Sequence, residues 1–138
     1  MTTRWVLVLM IAMAGAQTGC QKRDEVPTSW LGRYRRQGAL GLVADQFVRV
    51  AAKQLTVEEC RFNCGENVVN LTTVACSDQG TNPECRFTST HCSGVITRNF
   101  DGRLSITATA LPTTVTGEAL RVHNETCNNI RANLMRRQ

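Results

Sequence analysis

The stretch Gly94–Ile106, GVITRNFDGRLSI, carries the clearest fold signal in this 138-residue chain. An Asp-Gly pair suits the two central positions of a type I′ turn, which need positive φ, and that turn's twist matches the twist of paired strands. Ile96 and Phe100 precede it, and Leu104 and Ile106 follow it. The expectation is an antiparallel hairpin over 94–106 with its turn at Asp101-Gly102.

Working outward, period-2 segments separated by turn residues recur at the spacing of an all-β domain. Cys85–Cys92 reads as one strand and Val68–Cys76 (VVNLTTVAC) as another, rich in β-branched residues that suit a pleated surface. Ser77–Glu84 (SDQGTNPE) between them is a loop by composition, and a Cys76–Cys85 bridge would pin its base. Upstream, Leu40 and Leu42 lead to a turn at Asp45-Gln46, Val48 and Val50 share a face, and Lys53-Gln54 is a second turn. Thr56, Glu58, Cys60 and Phe62 then alternate against Leu55, Val57 and Glu59, and Gly65-Glu66-Asn67 breaks the chain. In the opening segment Trp30, Gly32 and Tyr34 alternate against Leu31, Arg33 and Arg35. Downstream, Gly117–Cys127 reads as a last strand, and Asn128 caps a short helix with Ile130 and Leu134 at i and i+4 and Arg136 and Arg137 at its negative end. The expected class is all-β: an antiparallel up-and-down meander forming a small barrel or sandwich, with a short C-terminal helix.

The first twenty residues are of a different kind. Trp5–Ala14 is a run of ten apolar residues behind Arg4. As a helix it spans roughly 15 Å, half of a hydrocarbon core of roughly 30 Å, so it suits the apolar region of an export signal and not a membrane span. Ala14-Gly15-Ala16 fits an ordinary signal-peptidase site, while Thr18-Gly19-Cys20 resembles the end of the lipobox of bacterial lipoproteins, with Gln17 where that pattern has an aliphatic residue. The resemblance implies a signal peptide over 1–19, a lipid on Cys20, a tether over 20–29 and a disulfide-braced β domain over 30–138. Gln21, where an Asp would imply inner-membrane retention in such lipoproteins, points to the outer membrane of the envelope, facing periplasm or surface; secretion is the alternative location. The opening Trp30-Leu31-Gly32-Arg33-Tyr34 resembles the start of lipocalin-like envelope barrels, although that pattern has its tryptophan after the glycine.

Cysteine parity supports the anchor. The chain has seven cysteines: Cys20, Cys60, Cys64, Cys76, Cys85, Cys92 and Cys127. With Cys20 carrying lipid, the other six can form three disulfides in an oxidising compartment. The spacings Cys60-x3-Cys64 and Cys85-x6-Cys92 lack the tight pairs of zinc ribbons, and no C-x-x-C redox pair occurs. Fifteen pairings of six cysteines are possible, so spacing alone does not choose among them.

The charge balance is 16 Lys plus Arg against 11 Asp plus Glu, formally +5, with Lys22 and Lys53 the only lysines. Arginines concentrate at Arg33, Arg35, Arg36 and at Arg131, Arg136, Arg137 without the continuous basic stripe of a nucleic-acid reader, so no nucleic acid is expected. Such clusters are ordinarily solvated faces, and in an envelope they would favour anionic lipid or an acidic partner. Only His91 and His123 are side chains that could serve as bases near neutral pH, and alternation separates His91 from Cys92. Asp78, Asn82 and Glu84 match no defined calcium loop, and the sequons at Asn70 and Asn124 matter only in a eukaryote. No enzyme, cofactor or metal is expected. The functional expectation is a non-catalytic envelope lipoprotein, attached to the membrane through its lipid, whose β domain binds a partner protein or envelope component. The alternatives are a periplasmic inhibitor of a protease or lysozyme and a carrier of a small apolar ligand.

Overall fold

The computed structural model describes residues 24–37, 45–60, 62–77 and 83–137. The leader, Cys20, the first part of the tether, the Leu40 and Leu42 segment and Asp78 and Asn82 lie outside the described residues.

A 3₁₀ turn, Thr28–Trp30, precedes the strands β1 (Gly32–Arg36), β2 (Asp45–Ala51), β3 (Gln54–Cys60), β4 (Cys64–Ser77), β5 (Glu84–Ser89), β6 (Cys92–Arg98), β7 (Leu104–Ala110) and β8 (Ala132–Arg137). Helix α1 (Gly117–Ile130) stands between β7 and β8. Each strand pairs antiparallel with the next and β8 returns to β1, giving a closed barrel. The expected all-β antiparallel class is therefore present, in its barrel form. At eight strands the interior is just wide enough for side chains to fill or for one small ligand. Tyr34, Val48, Val50, Leu55, Leu71, Phe87, Ile96 and Leu104 are among those that fill it.

Closure also explains which turns differ from expectation. The central hairpin forms, with Arg98 opposite Leu104. Its loop is longer than expected: Asn99 N donates to Arg103 O at 2.9 Å and Gly102 N to Asn99 O at 3.0 Å. Gly102 alone takes positive φ, +89°, so Phe100-Asp101-Gly102 is a three-residue loop with the glycine in the left-handed position and not a type I′ turn at Asp101-Gly102. Phe100 consequently points into solvent instead of joining a strand face.

Asp45-Gln46 is strand and not turn, because β2 pairs with β3 from Asp45 opposite Cys60 to Ala51 opposite Gln54. That register puts the reversal at Ala52-Lys53, one residue earlier than expected. Gly65-Glu66-Asn67 does not break the chain: it pairs with Glu59, Glu58 and Val57 directly behind the clamped turn Cys60–Cys64. Trp30 lies in the 3₁₀ turn ahead of β1 and not in a strand.

The C-terminal assignments exchange places. Gly117–Cys127 is helical, and Asn128 does not begin a helix, since α1 ends at Ile130 and Ala132–Arg137 is a strand. His123, Cys127 and Ile130 are the buried residues of α1, a four-then-three spacing that belongs to a helix, while Ala132 and Leu134 alternate with exposed neighbours as a strand requires. Arg121 bonds Glu118 and Glu125, one helical turn away on either side, and holds the Glu118 carboxyl below its ordinary pKa.

The two ends of the barrel differ. At one end Val26, Pro27 and Trp30 are buried, with Val26 N donating to Ala52 O at 3.0 Å and Tyr34 Oη donating to Trp30 O at 2.7 Å. Among the described residues, packing against the barrel starts at Val26, at the end carrying the β2–β3 turn. The opposite end carries the β3–β4 and β5–β6 turns and α1.

Candidate functional site

The helix end holds two adjoining cavities, one of about 300 Å³ and one of about 230 Å³, which share Val57, Asn67 and Asn129. The larger lies between α1, through Val122, Glu125, Thr126 and Ile130, and β4, through Val68 and Val69. The smaller is polar, with Arg36, Gln46, Glu59 and Glu66 on its wall. Neither is lined by Trp30, below which a ligand carrier of the lipocalin kind would need its space.

Arg36 organises this end. It stands two residues beyond buried Tyr34 on β1, and Nη1 donates to Gln46 Oε1 at 3.1 Å and to Asn129 O at 3.4 Å, while Nη2 donates to Arg131 O at 2.5 Å. Its charge therefore sits on the last carbonyls of α1, which has no basic residue of its own in its final turn. Arg33 is engaged as well: its guanidinium lies 3.7 Å from the Phe47 ring centroid, and Nε donates to Glu58 Oε2 at 3.0 Å. Glu58 is buried on the outside of the sheet beneath Arg33 and Arg49. Its Oε1 lies 2.6 Å from Arg49 Nη2 but off the line of a hydrogen bond, so it is compensated by charge without a directed donor. Two arginines of the opening cluster thus hold structure together and are not simply a solvated face.

The six downstream cysteines form three bridges, Cys60–Cys64, Cys76–Cys85 and Cys92–Cys127. Cys76–Cys85 closes the Ser77–Glu84 segment as its bracketing suggests. Cys92–Cys127 ties α1 to the start of β6. Cys60–Cys64 clamps the connection at 61–63, where Phe62 is 95% exposed.

The two histidines, taken singly from sequence, meet beside the α1 bridge. Their Nδ1 atoms are 2.8 Å apart with the rings edge to face, and His123 Nε2 is 2.8 Å from Leu111 O. That carbonyl can only accept, so His123 carries its hydrogen on Nε2, and neutral His123 then receives a hydrogen from His91 Nδ1. Their described hydrogen-bond partners include no acid that would make a relay, and no serine or thiol nucleophile. Among the described residues no group of three or more His, Cys, Asp or Glu is placed to hold a metal ion. Glu84, the described one of the three oxygen donors in the Ser77–Glu84 segment, pairs with Arg86 at 3.2 Å.

Sequence reasoning expected the short C-terminal helix but began it at Asn128 instead of Gly117, and so missed the cavity, the histidine pair and the role of Arg36. The signal was present in Leu120, His123, Cys127 and Ile130, which recur at helical spacing. A closed eight-stranded antiparallel barrel, stapled three times and crossed at one end by a helix, is the class that fold and bridges define. Comparison with protein-family models, with curated proteins and with solved structures gives no match.

Proposed function

We propose that this chain is a non-catalytic, lipid-anchored protein of the bacterial envelope that binds a partner protein or envelope component with the helix end of its barrel. The observation that carries the reading is Phe62, an aromatic side chain 95% exposed on a connection that the Cys60–Cys64 bridge clamps. Burying an aromatic ring contributes strongly to association, and a loop already fixed loses little freedom on binding. The anchor fits the same geometry. Three bridges use every other cysteine, so Cys20 has no partner within its own chain. Val26 seats at the far end of β3 from Phe62, and seven strand residues put those ends roughly 20 Å apart. A lipid at Cys20 would leave the Phe62 end facing away from the membrane.

The clamped loop also favours a second, narrower reading, inhibition of a protease or lysozyme by insertion of that loop. Photo-crosslinking in the native envelope tests the main proposal, using a benzophenone amino acid at position 62 and, as control, at exposed position 100 on the opposite end. A discrete adduct from 62 alone is expected, on a chain whose intact mass shows an acylated Cys20. Absence of an adduct at 62, or equal labelling at both ends, overturns partner binding through this end. An unmodified Cys20 overturns the anchor.

A further inference from the structure

We infer that the helix end captures its partner by strand addition: an extended segment of the partner polypeptide pairs with the open edge of β4 in the channel beside α1. This rests on the partner-binding reading and specifies its chemistry.

The edge is open because neighbouring strands have unequal lengths. β4 has fourteen residues and β5 has six. The register of β4 with β5 starts at Leu71 opposite Ser89, whereas its register with β3 runs from Cys64 to Asn70. Among the described residues, no strand pairs with the β5 side of β4 ahead of Leu71. An irregularity between Leu71 and Thr73 marks the place where the ladder with β5 begins, as a bulge does at the border of pairing.

The direction of the unpaired backbone follows from one bond. Leu71 N donates to Lys53 O at 2.9 Å, so Leu71 faces β3. Main-chain groups alternate along a strand in an antiparallel sheet. Val69 and Asn67 therefore also face β3, while Val68 and Glu66 turn their N–H and C=O groups to the open side. Residues Cys64–Val68 are exposed throughout.

An unpaired edge is a template for another strand, and proteins usually cover it or guard it with lysine or proline. β4 carries neither ahead of Leu71, and its one charge there is Glu66. Helix α1 runs alongside but leaves the cavity of about 300 Å³ between itself and that edge. An edge strand facing a helix across such a gap is the geometry of β-augmentation, in which main-chain bonds supply affinity and alternate side chains supply specificity. Here Val57, Val69 and Ile130 would receive alternate apolar side chains, with Val68 and Val122, 52% and 45% exposed, at the rim. Glu125, which Arg121 also pairs, lines this cavity and Glu66 lines the smaller one adjoining it, and the two carboxylates favour lysine or arginine in the incoming segment. The occupant is thus an extended peptide of alternating β-branched residues with basic flanks.

The probe is a synthetic peptide of alternating valine and threonine flanked by lysines, added to the intact protein. Hydrogen exchange should slow at the Glu66 and Val68 amides, and methylating the alternate peptide nitrogens that face β4 should abolish this. Val68→Pro removes one outward donor while leaving the β3 ladder whole, and should weaken binding about tenfold, the worth of about one good hydrogen bond. Should that variant fold poorly, the methylated peptide makes the same cut on the ligand. No protection by the peptide overturns the inference, as does a concentration-dependent dimer protected at those amides, which would make a second copy the occupant. An adduct at position 62 that persists undiminished in folded Val68→Pro removes strand addition and leaves partner binding standing. Peptide protection without any adduct at 62 does the reverse.

Discussion

The three disulfides close loops of very different size, which makes their removal a quantitative probe of the barrel. Cys60–Cys64, Cys76–Cys85 and Cys92–Cys127 have sequence separations of 4, 9 and 35. If a bridge stabilises by restricting the unfolded chain, the loop-closure expression assigns about 1.9, 2.6 and 3.8 kcal/mol to them at 25 °C. Burial acts in the same order: Cys76, Cys85, Cys92 and Cys127 are buried and leave voids when truncated, while Cys60 and Cys64 are not buried. Double Cys→Ala variants, compared by equilibrium urea unfolding at constant m, should therefore rank with Cys92–Cys127 costliest and Cys60–Cys64 cheapest, about 2 kcal/mol apart. Equal costs, or a costlier Cys60–Cys64, would refute the reasoning and mean that the small clamp holds more than its own turn. The cheap variant has a further use. It loosens the mount of Phe62 in a nearly native barrel, and crosslinking from position 62 should fall much more than stability does.

Two more predictions follow from close contacts. A Cβ on Gly94 would lie 2.2 Å from Thr107 O and 2.5 Å from Phe87 Cζ, so Gly94→Ala should cost at least the 1–3 kcal/mol or so of ordinary overpacking, whereas Gly65→Ala, with its nearest neighbour at 4.0 Å, should be near neutral by thermal unfolding. Nitrogen-15 NMR of the neutral imidazoles should find the hydrogen of His123 on Nε2 and that of His91 on Nδ1. The reverse tautomer at His123 would break its bond to Leu111 O and sink the pairing.

How much was legible varies with the range of the interaction that decides each feature. Val48 and Val50, or Leu104 and Ile106, declare a strand through neighbours two residues apart, and alternation needs nothing from elsewhere in the chain. Gly117–Cys127 reads as a strand through Val122 and Thr126, although Glu118, Ala119 and Leu120 suit a helix. The spacing of its apolar residues favoured the helix. Turn positions depend on register, so Asp101-Gly102 marked the right reversal but not its length.

By itself, then, the sequence determined an antiparallel, all-β body with short connections and an even set of six cysteines behind Cys20, because these follow from local period and composition. Only the tertiary structure decided that β8 closes on β1, how Cys60, Cys64, Cys92 and Cys127 pair, that His91 meets His123, and that β4 outruns β5 beside a helix. Those features join residues far apart in the chain. An open edge in particular is a property of the strand next door, written in no stretch of β4 itself.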